Sequence, residues 1–388
     1  MKIPLLKTLI IILFTIEMAF AQADTIKKSP FLLEASYIGE VFYNFKGGIK
    51  TGGTYLGMAN IMINFDTEKA NFWKGGELFI NATNTHGGEP SALFIGDYQI
   101  ASNIEAGNFS FLQEFWFKQR IKNISMVIGL QDLCVEFLAS ENANLFLNSS
   151  CGTHSTISGN LPLPIFPLTA LGVQLHYNFM ENLFFKTAIF DSVPEDFSIN
   201  KHNVQWKLCK DDGFLLFSEL SYYNNSTTYS GTYKLGGYYH NQYVITKKDK
   251  TSLPITENYP QNYGIYLTVD QTLLKKLSGK ELSSFLQASI KPKNINENWY
   301  YIGFGLNYKS MFKKRTNDIL GIAVVHSGIN NDIGSETAIE LTYKAQLGEN
   351  FFIQPDLQYI INPAGTDTKL KNCLLAFLRF GINFSNKQ

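Results

Sequence analysis

Charged residues that could bind a polar solute recur at alternate positions in several segments of this chain. Glu114, Lys118 and Arg120 have one parity, and Phe115 and Phe117 have the other. Since successive side chains of a β-strand point to opposite faces, such a segment has one polar and one apolar face. The same test selects these candidate solute-binding residues: Glu114, Lys118, Arg120, Glu219, Lys234, Tyr238, His240, Asp270, Glu340, Lys344 and Arg379. Their mixed signs predict little preference for strongly charged solutes.

Local catalytic motifs are absent from the sequence. It contains no G-x-S-x-G, P-loop, H-E-x-x-H or G-x-G-x-x-G pattern. The six histidines are scattered, and none lies four residues from another, so each is best explained as a surface, lumen or interface residue. Serine and aspartate are plentiful, which leaves a triad assembled in space open at this level. We expect a protein that is not an enzyme and that uses no cofactor and no metal.

The four cysteines are Cys134, Cys151, Cys209 and Cys373. Disulfides are allowed if the chain is exported, because exported proteins meet oxidising conditions. Cys134 and Cys151 flank one predicted loop and are the best candidates for a disulfide. The alternative, that all four are small apolar fillers or free thiols, stays equally open. No C-x-x-C pattern occurs, so neither a zinc site nor a thioredoxin-like site is indicated.

Hydrophobic periodicity predicts the elements that position these residues. From Ile339 to Leu347 the odd positions are all apolar and the even positions are all polar. Segments of this kind predict about sixteen strands, near residues 36–43, 56–65, 76–84, 110–119, 124–131, 170–178, 183–190, 213–223, 231–240, 262–270, 283–291, 300–309, 318–326, 336–346, 351–360 and 373–384. Closed barrels of about 16–18 strands leave an aqueous lumen. We therefore predict an all-β fold, a transmembrane antiparallel β-barrel with a water-filled lumen.

Composition and face assignment agree with a barrel in a membrane. The 31 Phe and 20 Tyr could form aromatic girdles at the two membrane interfaces. Tyr263, Ile265, Leu267 and Val269 would face lipid on one strand. Mean hydropathy is near neutral, as expected when half of each strand faces water. A soluble β-sandwich also alternates, but its exposed faces should carry more charge.

The first 21 residues have the features of a secretory signal peptide. Two lysines precede a short apolar run, and Ala19-Phe20-Ala21 matches the small-x-small cleavage pattern. Cleavage after Ala21 would leave residues 22–388 as one barrel domain in a bacterial outer membrane. The 33 basic and 33 acidic residues give no basic excess that would recruit nucleic acid.

Residues 132–169 form the longest irregular stretch of the chain. Pro162, Pro164 and Pro167 exclude an interior strand there, because proline cannot donate to a strand ladder. We expect a long extracellular loop that folds inward and narrows the pore.

Short motifs follow one another over nearly the whole mature chain. They are GGTYLG (52–57), NFDTE (64–68), NTHG (84–87), QIASNI (99–104), EFWFKQ (114–119), GLQD (129–132), FLNSS (146–150), PLTALGV (167–173), KLGGYYH (234–240), YLTVDQ (266–271), ETAIELTY (336–343) and QPDLQYIINP (354–363). In this order they resemble the OprB-like carbohydrate-selective porin family of bacterial outer membranes. The resemblance implies a sixteen-stranded barrel through which sugars diffuse inward, often as a homotrimer. The chain departs from the usual pattern at its end, because Ser385-Asn386-Lys387-Gln388 follow the aromatic Phe384.

The expected function is passive diffusion of mono- or oligosaccharides and other small polar solutes across the outer membrane. The partners would be those solutes, outer-membrane lipid and other copies of the chain in a homotrimer. One alternative is an outer-membrane barrel enzyme, such as a lipid hydrolase, with a packed lumen. Another is an exported β-sandwich that binds glycans. Chain length and strand count favour the channel, because a packed lumen needs fewer strands.

Overall fold

The computed structural model describes residues 29–208, 212–241, 243–248, 254–276, 278–331 and 334–387. The predicted signal peptide (residues 1–21) and Cys209 lie outside the described residues. Cleavage after Ala21 and a barrel domain that starts at residue 22 therefore stay predictions.

The described residues form eighteen strands, sixteen of which close into one antiparallel barrel. The strands are β1 (Phe31–Lys46), β2 (Gly52–Asp66), β3 (Gly76–Gly87), β4 (Phe109–Ile121), β5 (Ile124–Gln131), β6 (Ala170–Met180), β7 (Leu183–Asp191), β8 (Phe214–Asn224), β9 (Gly231–His240), β10 (Tyr243–Lys248), β11 (Pro254–Tyr259), β12 (Asn262–Lys275), β13 (Glu281–Ile290), β14 (Asn298–Lys309), β15 (Ile319–Ile329), β16 (Ser335–Leu347), β17 (Phe351–Ile361) and β18 (Cys373–Ser385). Strand β9 pairs with β12, β1 closes the barrel on β18, and β10 and β11 form a separate hairpin.

The predicted fold is confirmed, and the β-sandwich alternative is wrong because the sheet closes on itself. Each of the sixteen predicted segments overlaps one barrel strand, whereas the β10–β11 hairpin has no counterpart among them. The predicted faces also hold. Tyr263 and Ile265 are more than half exposed on the outer surface, while the intervening Gly264 is buried. The register places Glu340 opposite Ala323 of β15 and Gln358 of β17, all on the lumen face.

The two ends of the barrel differ in the length of their connections. One end has short turns, such as residues 122–123 and 181–182, and it also holds both termini of the barrel. The other end has the long connections, which include residues 88–108, 132–169 and 192–213. Outer-membrane barrels have short periplasmic turns and longer extracellular loops. The end with the short turns is therefore the periplasmic end.

In the residues that the structure describes, helical structure is confined to short turns in the connections. These are Ser91–Ile95, Leu133–Glu136, Ala143–Leu145, Ser149–Gly152, Ser155–Ser158 and Lys293–Ile295. Asp132 caps the second turn by accepting from the Cys134 amide at 2.9 Å, and Asn148 caps the fourth through the Ser150 amide at 3.0 Å. Isolated helices of this length are unstable, so their contacts with the barrel must hold them. Within the described ranges, no helix has the length and apolar character needed to cross a membrane.

The apolar core of the protein lies inside the barrel. One buried cluster contains Phe42, Phe146 and Phe285, and a second contains Phe137 and Phe217. Both join side chains of the connections 88–108 or 132–169 to side chains on the inner barrel wall. Each buried phenylalanine contributes roughly 1.5–3 kcal/mol through removal of apolar surface from water. The lumen is thus partly filled by packed protein.

Candidate functional site

Two extracellular connections fold into the lumen and contact each other there. We call residues 88–108 the first inner loop and residues 132–169 the second inner loop. The Asn103 amide donates to the Leu147 carbonyl at 2.8 Å, and the Ser149 amide donates to the Ile100 carbonyl at 2.9 Å. The inward folding predicted for residues 132–169 is confirmed, whereas that of the first inner loop was not predicted. Together the loops narrow the lumen.

Carboxylates on the inner wall hold the second inner loop. Asp270 accepts from the Ser140 hydroxyl at 2.6 Å and from the amides of Glu141 and Asn142 at 3.2 and 3.1 Å. Glu340 accepts from the amides of Leu147 and Asn148 at 2.6 and 3.1 Å. Each carboxyl group thus accepts at least two hydrogen bonds from the loop. Asp270 and Glu340 therefore lie in the lumen as predicted, but they are placed to position the loop.

Glu219 on β8 also holds the second inner loop, through Leu138. Its Oε2 accepts from the Leu138 amide at 3.1 Å and from the Tyr266 hydroxyl at 2.9 Å, and its Oε1 accepts from the Ser221 hydroxyl at 3.0 Å. Lys234, another predicted lumen residue, donates to the Ala139 carbonyl at 2.7 Å.

The first inner loop is held by a carboxylate that sequence reasoning missed. Glu336 accepts from the amides of Tyr98 at 2.7 Å, Gln99 at 2.9 Å and Ala364 at 2.8 Å. Its parity with Glu340 on the same strand places it in the lumen, which is a signal that the sequence contained. Its three amide donors come from distant loops, and no local pattern predicts them.

The predicted residue Arg379 also serves the first inner loop. Its Nε donates to Glu40 Oε1 at 2.5 Å, and Glu40 Oε2 accepts from the Ser102 hydroxyl at 2.7 Å. The Arg379 Nη2 donates to Asn103 Oδ1 at 2.6 Å. Arg379 and Glu40 are buried, and the Asn103 side chain is exposed to solvent. The buried ion pair of Arg379 and Glu40 thus holds the exposed side-chain amide of Asn103 in the lumen.

Three further candidates are packed against the wall. Tyr238 stacks on Phe217 with ring centroids 5.1 Å apart, and the Lys344 ammonium lies 4.3 Å from the centroid of the Phe352 ring. His240 is buried, with Nδ1 2.8 Å from the Asn241 carbonyl. All three lie on the lumen face; Tyr238 and His240 are buried, and Lys344 is partly exposed.

The predicted disulfide between Cys134 and Cys151 is not formed. Both residues carry free thiols in the structure. Cys134 Sγ lies 2.7 Å from the Thr153 hydroxyl, and burial raises the pKa of this thiol above its usual value. Cys151 is buried where the loop meets the opposite wall, and its carbonyl accepts from Gln287 Nε2 at 2.9 Å. The two thiols thus serve different contacts within the second inner loop.

Carboxyl groups of the inner loops have raised pKa values. Burial raises the pKa of Asp132 to about 6. Burial and the nearby charge of Asp97 raise the pKa of Glu105 to about 8, and burial raises that of Asp97 to about 6. Both Glu105 oxygens lie 3.1 Å from the Ser91 amide nitrogen. At neutral pH the Glu105 carboxyl is thus protonated in most molecules.

The open part of the lumen lies against strands β2 to β4. Toward the periplasmic end of these strands, lumen-facing residues such as Phe79, Trp116 and Lys118 are partly exposed, whereas Asn81 and Glu114 above them are buried. On the open side, Phe79 and Trp116 stack with ring centroids 4.9 Å apart and planes 27° apart. Trp116 Nε1 donates to Oε1 of the predicted residue Glu114 at 3.2 Å. The stack was not predicted, although Trp116 shares the parity of Glu114 and Lys118.

The remaining candidates, Lys118 and Arg120, lie next to this stack toward the periplasmic end. They line a pocket of about 160 Å³ together with Lys186 and His176. The structure therefore brings Lys118 and Arg120 together on the open side, with Glu114 buried beside Trp116. It separates them from Glu219, Asp270 and Glu340, which it uses to hold a loop. Within the described residues no cluster of three or more His, Cys, Asp or Glu could hold a metal ion.

Comparison with known proteins identifies the family. The family model described as carbohydrate-selective porin, OprB family, matches residues 50–384. The chain belongs to the OprB family of carbohydrate-selective porins. A curated relative of this porin is Porin B of Pseudomonas aeruginosa, which is 23% identical over 405 aligned residues. That alignment covers 90% of this chain and 86% of the relative.

Solved structures share the fold of this porin. The high-pH structure of Pseudomonas putida OprB has a TM-score of 0.80 at 20% identity and covers 92% of this chain and 94% of its own. The low-pH structure of the same protein has a TM-score of 0.61 at 17% identity, covering 92% and 93%. The resemblance inferred from the motifs, the porin function with carbohydrates as solutes, and the outer-membrane location are confirmed.

Proposed function

We propose that sugars cross this porin between the two inner loops and the β2–β4 wall, with transient binding on the stack of Phe79 and Trp116. The observation that carries the proposal is that this aromatic pair faces the lumen and is partly exposed. Aromatic rings bury the apolar C–H faces of a sugar, while its hydroxyl groups need polar partners nearby.

Polar partners surround the aromatic pair. Lys118 follows Trp116 on the same face of β4, and its register partner Glu77 lies beside Phe79 on β3. Asn64 on β2 hydrogen bonds to Glu77, which places an amide and a carboxylate next to the rings. A solute that binds weakly to several such groups can both enter and leave, as a channel requires.

The proposal needs no chemical step. The wall carboxylates that might have served a hydrolase are held by backbone amides, as Asp270 and Glu340 show. The structure also gives the second inner loop a reason to be long, since it must reach the far wall at Glu340. We therefore propose a channel without catalysis. Replacing lumen Ser or His residues should leave solute flux unchanged in liposome swelling.

Liposome swelling with graded neutral sugars, amino acids and charged solutes tests the proposal. We expect neutral sugars to permeate faster than other solutes of similar size, and larger sugars to permeate more slowly because two loops narrow the lumen. Trp116→Ala should weaken sugar-dependent block of ion current by about two- to tenfold, since stacking of this kind contributes roughly 0.5–1.5 kcal/mol. Trp116→Phe should retain most of the effect.

Trp73→Ala is the matched control. Trp73 lies on a periplasmic turn, where its ring centroid is 6.3 Å from that of Phe117 on the outer face. It should change neither swelling nor block. Equal swelling rates for sugars and other solutes would contradict a sugar preference, and unchanged block in Trp116→Ala would contradict the assignment of the stack.

The lipid contact and the homotrimer complete the proposal. Exposed apolar side chains cover the outer barrel face, including Ile265, Phe304 and Leu378, and they suit contact with hydrocarbon. The homotrimer rests on the family resemblance. Light scattering of the protein in detergent should give the mass of three chains, and a mass of one chain would contradict the trimer.

A further inference from the structure

A basic pocket lies between the aromatic stack and the periplasmic end. It has a volume of about 160 Å³ and is lined by Lys118, Arg120, Lys122, His176 and Lys186, among others. The first three belong to the hairpin of β4 and β5, whose turn is residues 122–123. Lys186 faces His176 across the β6–β7 pair. Four cationic side chains therefore converge on one small volume.

The pocket has an excess of positive charge. Lys186 pairs with Glu136 of the second inner loop at 2.6 Å. This ion pair outweighs the effect of burial and holds the pKa of Glu136 below its usual value. Within the described part of the chain, Lys118, Arg120 and Lys122 form no ion pair with a carboxylate. Lys118 also interacts electrostatically with Glu136, but no aspartate or glutamate lines the pocket itself, so its lining has a net positive charge.

We propose that this pocket binds the oxyanion of an acidic sugar, a phosphate ester or a carboxylate, as the sugar leaves the channel. The inference rests on the proposed function, because it extends the sugar path by one step. The Arg120 guanidinium can donate two parallel hydrogen bonds to such an anion, and the lysines add compact positive charge.

The remaining lining favours a sugar over a bare anion. Phe184 lies in the pocket wall and packs edge-on against Tyr223, with ring centroids 5.1 Å apart. An aromatic ring there can cover the apolar face of a sugar. The Asn123 and Asn178 residues also line the pocket and offer amide groups to hydroxyls.

The distance between the two binding surfaces suits one solute. Lys118 is two residues from Trp116 on the same face of β4, which corresponds to roughly 7 Å along a strand. A sugar ring on Trp116 can therefore direct an acidic substituent toward Lys118. Neutral sugars lack the group that the basic pocket recognises and would pass without being retained.

Isothermal titration of the purified full-length protein in detergent tests the proposal. The probes are glucose, glucose 6-phosphate, glucuronate and inorganic phosphate. We expect glucose 6-phosphate and glucuronate to bind at least about tenfold more tightly than glucose, as charge-assisted hydrogen bonds would give. The triple variant K118Q/R120Q/K122Q should lose this difference. The difference should also shrink with added salt, because exposed charges are screened.

The triple variant K276Q/K313Q/K314Q is the matched control. It removes the same charge from exposed periplasmic positions outside the pocket. It should keep the preference for glucose 6-phosphate. Heat-shifted gel mobility would show that both variants contain folded barrels.

Several outcomes would overturn the inference. Equal binding of glucose and glucose 6-phosphate would do so, as would a preference that survives in K118Q/R120Q/K122Q or is lost equally in the control. Inorganic phosphate that binds as tightly as glucose 6-phosphate would overturn the assignment to a sugar. Glucose flux into liposomes is measured on the same preparation. Its absence would refute the proposed function alone, since binding in detergent does not require transport.

Discussion

Removing the Asp270 carboxylate should release part of the second inner loop while the barrel stays intact. Asp270 accepts three hydrogen bonds from consecutive residues, Ser140, Glu141 and Asn142. The variant Asp270→Ala leaves all three donors without their acceptor. The barrel pairing of β12 does not depend on this side chain, because the ladder uses backbone groups. The change should therefore be local to the loop.

The expected size follows from these three hydrogen bonds. A hydrogen bond to a charged group contributes about 1.5–3 kcal/mol, but bonds from one segment to one carboxylate are not additive. A total of about 3 kcal/mol, below the simple sum of about 4.5–9 kcal/mol, allows for this non-additivity and for water reaching the Glu141 amide. This corresponds to a rise of about a hundredfold in the open population of the segment.

Hydrogen exchange of residues 138–145 measures that population directly. Single-channel recording should show, in parallel, brief transitions to higher conductance in Asp270→Ala. Glu281→Ala is the control, because Glu281 lies on the neighbouring β13 and forms only a 3.4 Å ion pair with Lys275 near the periplasmic turn. Such exposed pairs contribute about 0–1 kcal/mol. Exchange that stays unchanged in residues 138–145 of Asp270→Ala would refute the view that Asp270 holds the loop.

Three further predictions concern the inner loops. The pKa of Glu105 is about 8 in the folded loop, against an ordinary value of 4.5, so between these pH values the unfolded loop binds fewer protons than the folded one. The stability of the first inner loop should therefore fall as pH rises from about 4.5 to about 8. Glu105→Gln should flatten the pH dependence of hydrogen exchange in residues 91–105. Phe146→Ala removes a ring packed 5.6 Å from Phe285 in the lumen core, which should cost about 3–5 kcal/mol and lower the midpoint of loop protection in denaturant. Maleimide labelling of the unfolded, unreduced protein should modify both Cys134 and Cys151, and protection of both would show a disulfide.

The barrel could be predicted from sequence because its determinants are local. A strand shows its two faces within a few residues, and the alternation around Ile339 to Leu347 gave both the strand and the position of Glu340. The unpredicted β10–β11 hairpin stands apart from the barrel, so the barrel alternation contains no information about it. The role of loop residues is harder to predict from sequence. Asp132, for example, caps the helical turn Leu133–Glu136, and this turn forms only in the folded loop.

The roles of the lumen residues could not be predicted because their partners are distant in sequence. Asp270 and Ser140 are separated by 130 residues, and Glu340 and Leu147 by 193. A carboxylate that faces water and one that accepts two loop amides have the same residue type and the same parity. The apolar residues Phe42 and Phe217 depend on distant partners in the same way. They face inward because the inner loops supply an apolar surface to pack against.

These partners also explain why total charge is a poor guide to the charge that a solute meets. The mixed signs of the candidate lumen residues predicted little preference for charged solutes, in line with the 33 basic and 33 acidic residues of the chain. Yet Glu219, Glu336 and Glu340 are buried under the loops they hold and accept hydrogen bonds from loop amides, so a solute in the lumen does not meet them. Lys118 and Arg120 line a pocket whose lining contains no aspartate or glutamate. Cations therefore outnumber carboxylates at the periplasmic end, so the prediction of charge indifference should fail there, and acidic sugars should be retained at the exit longer than neutral ones.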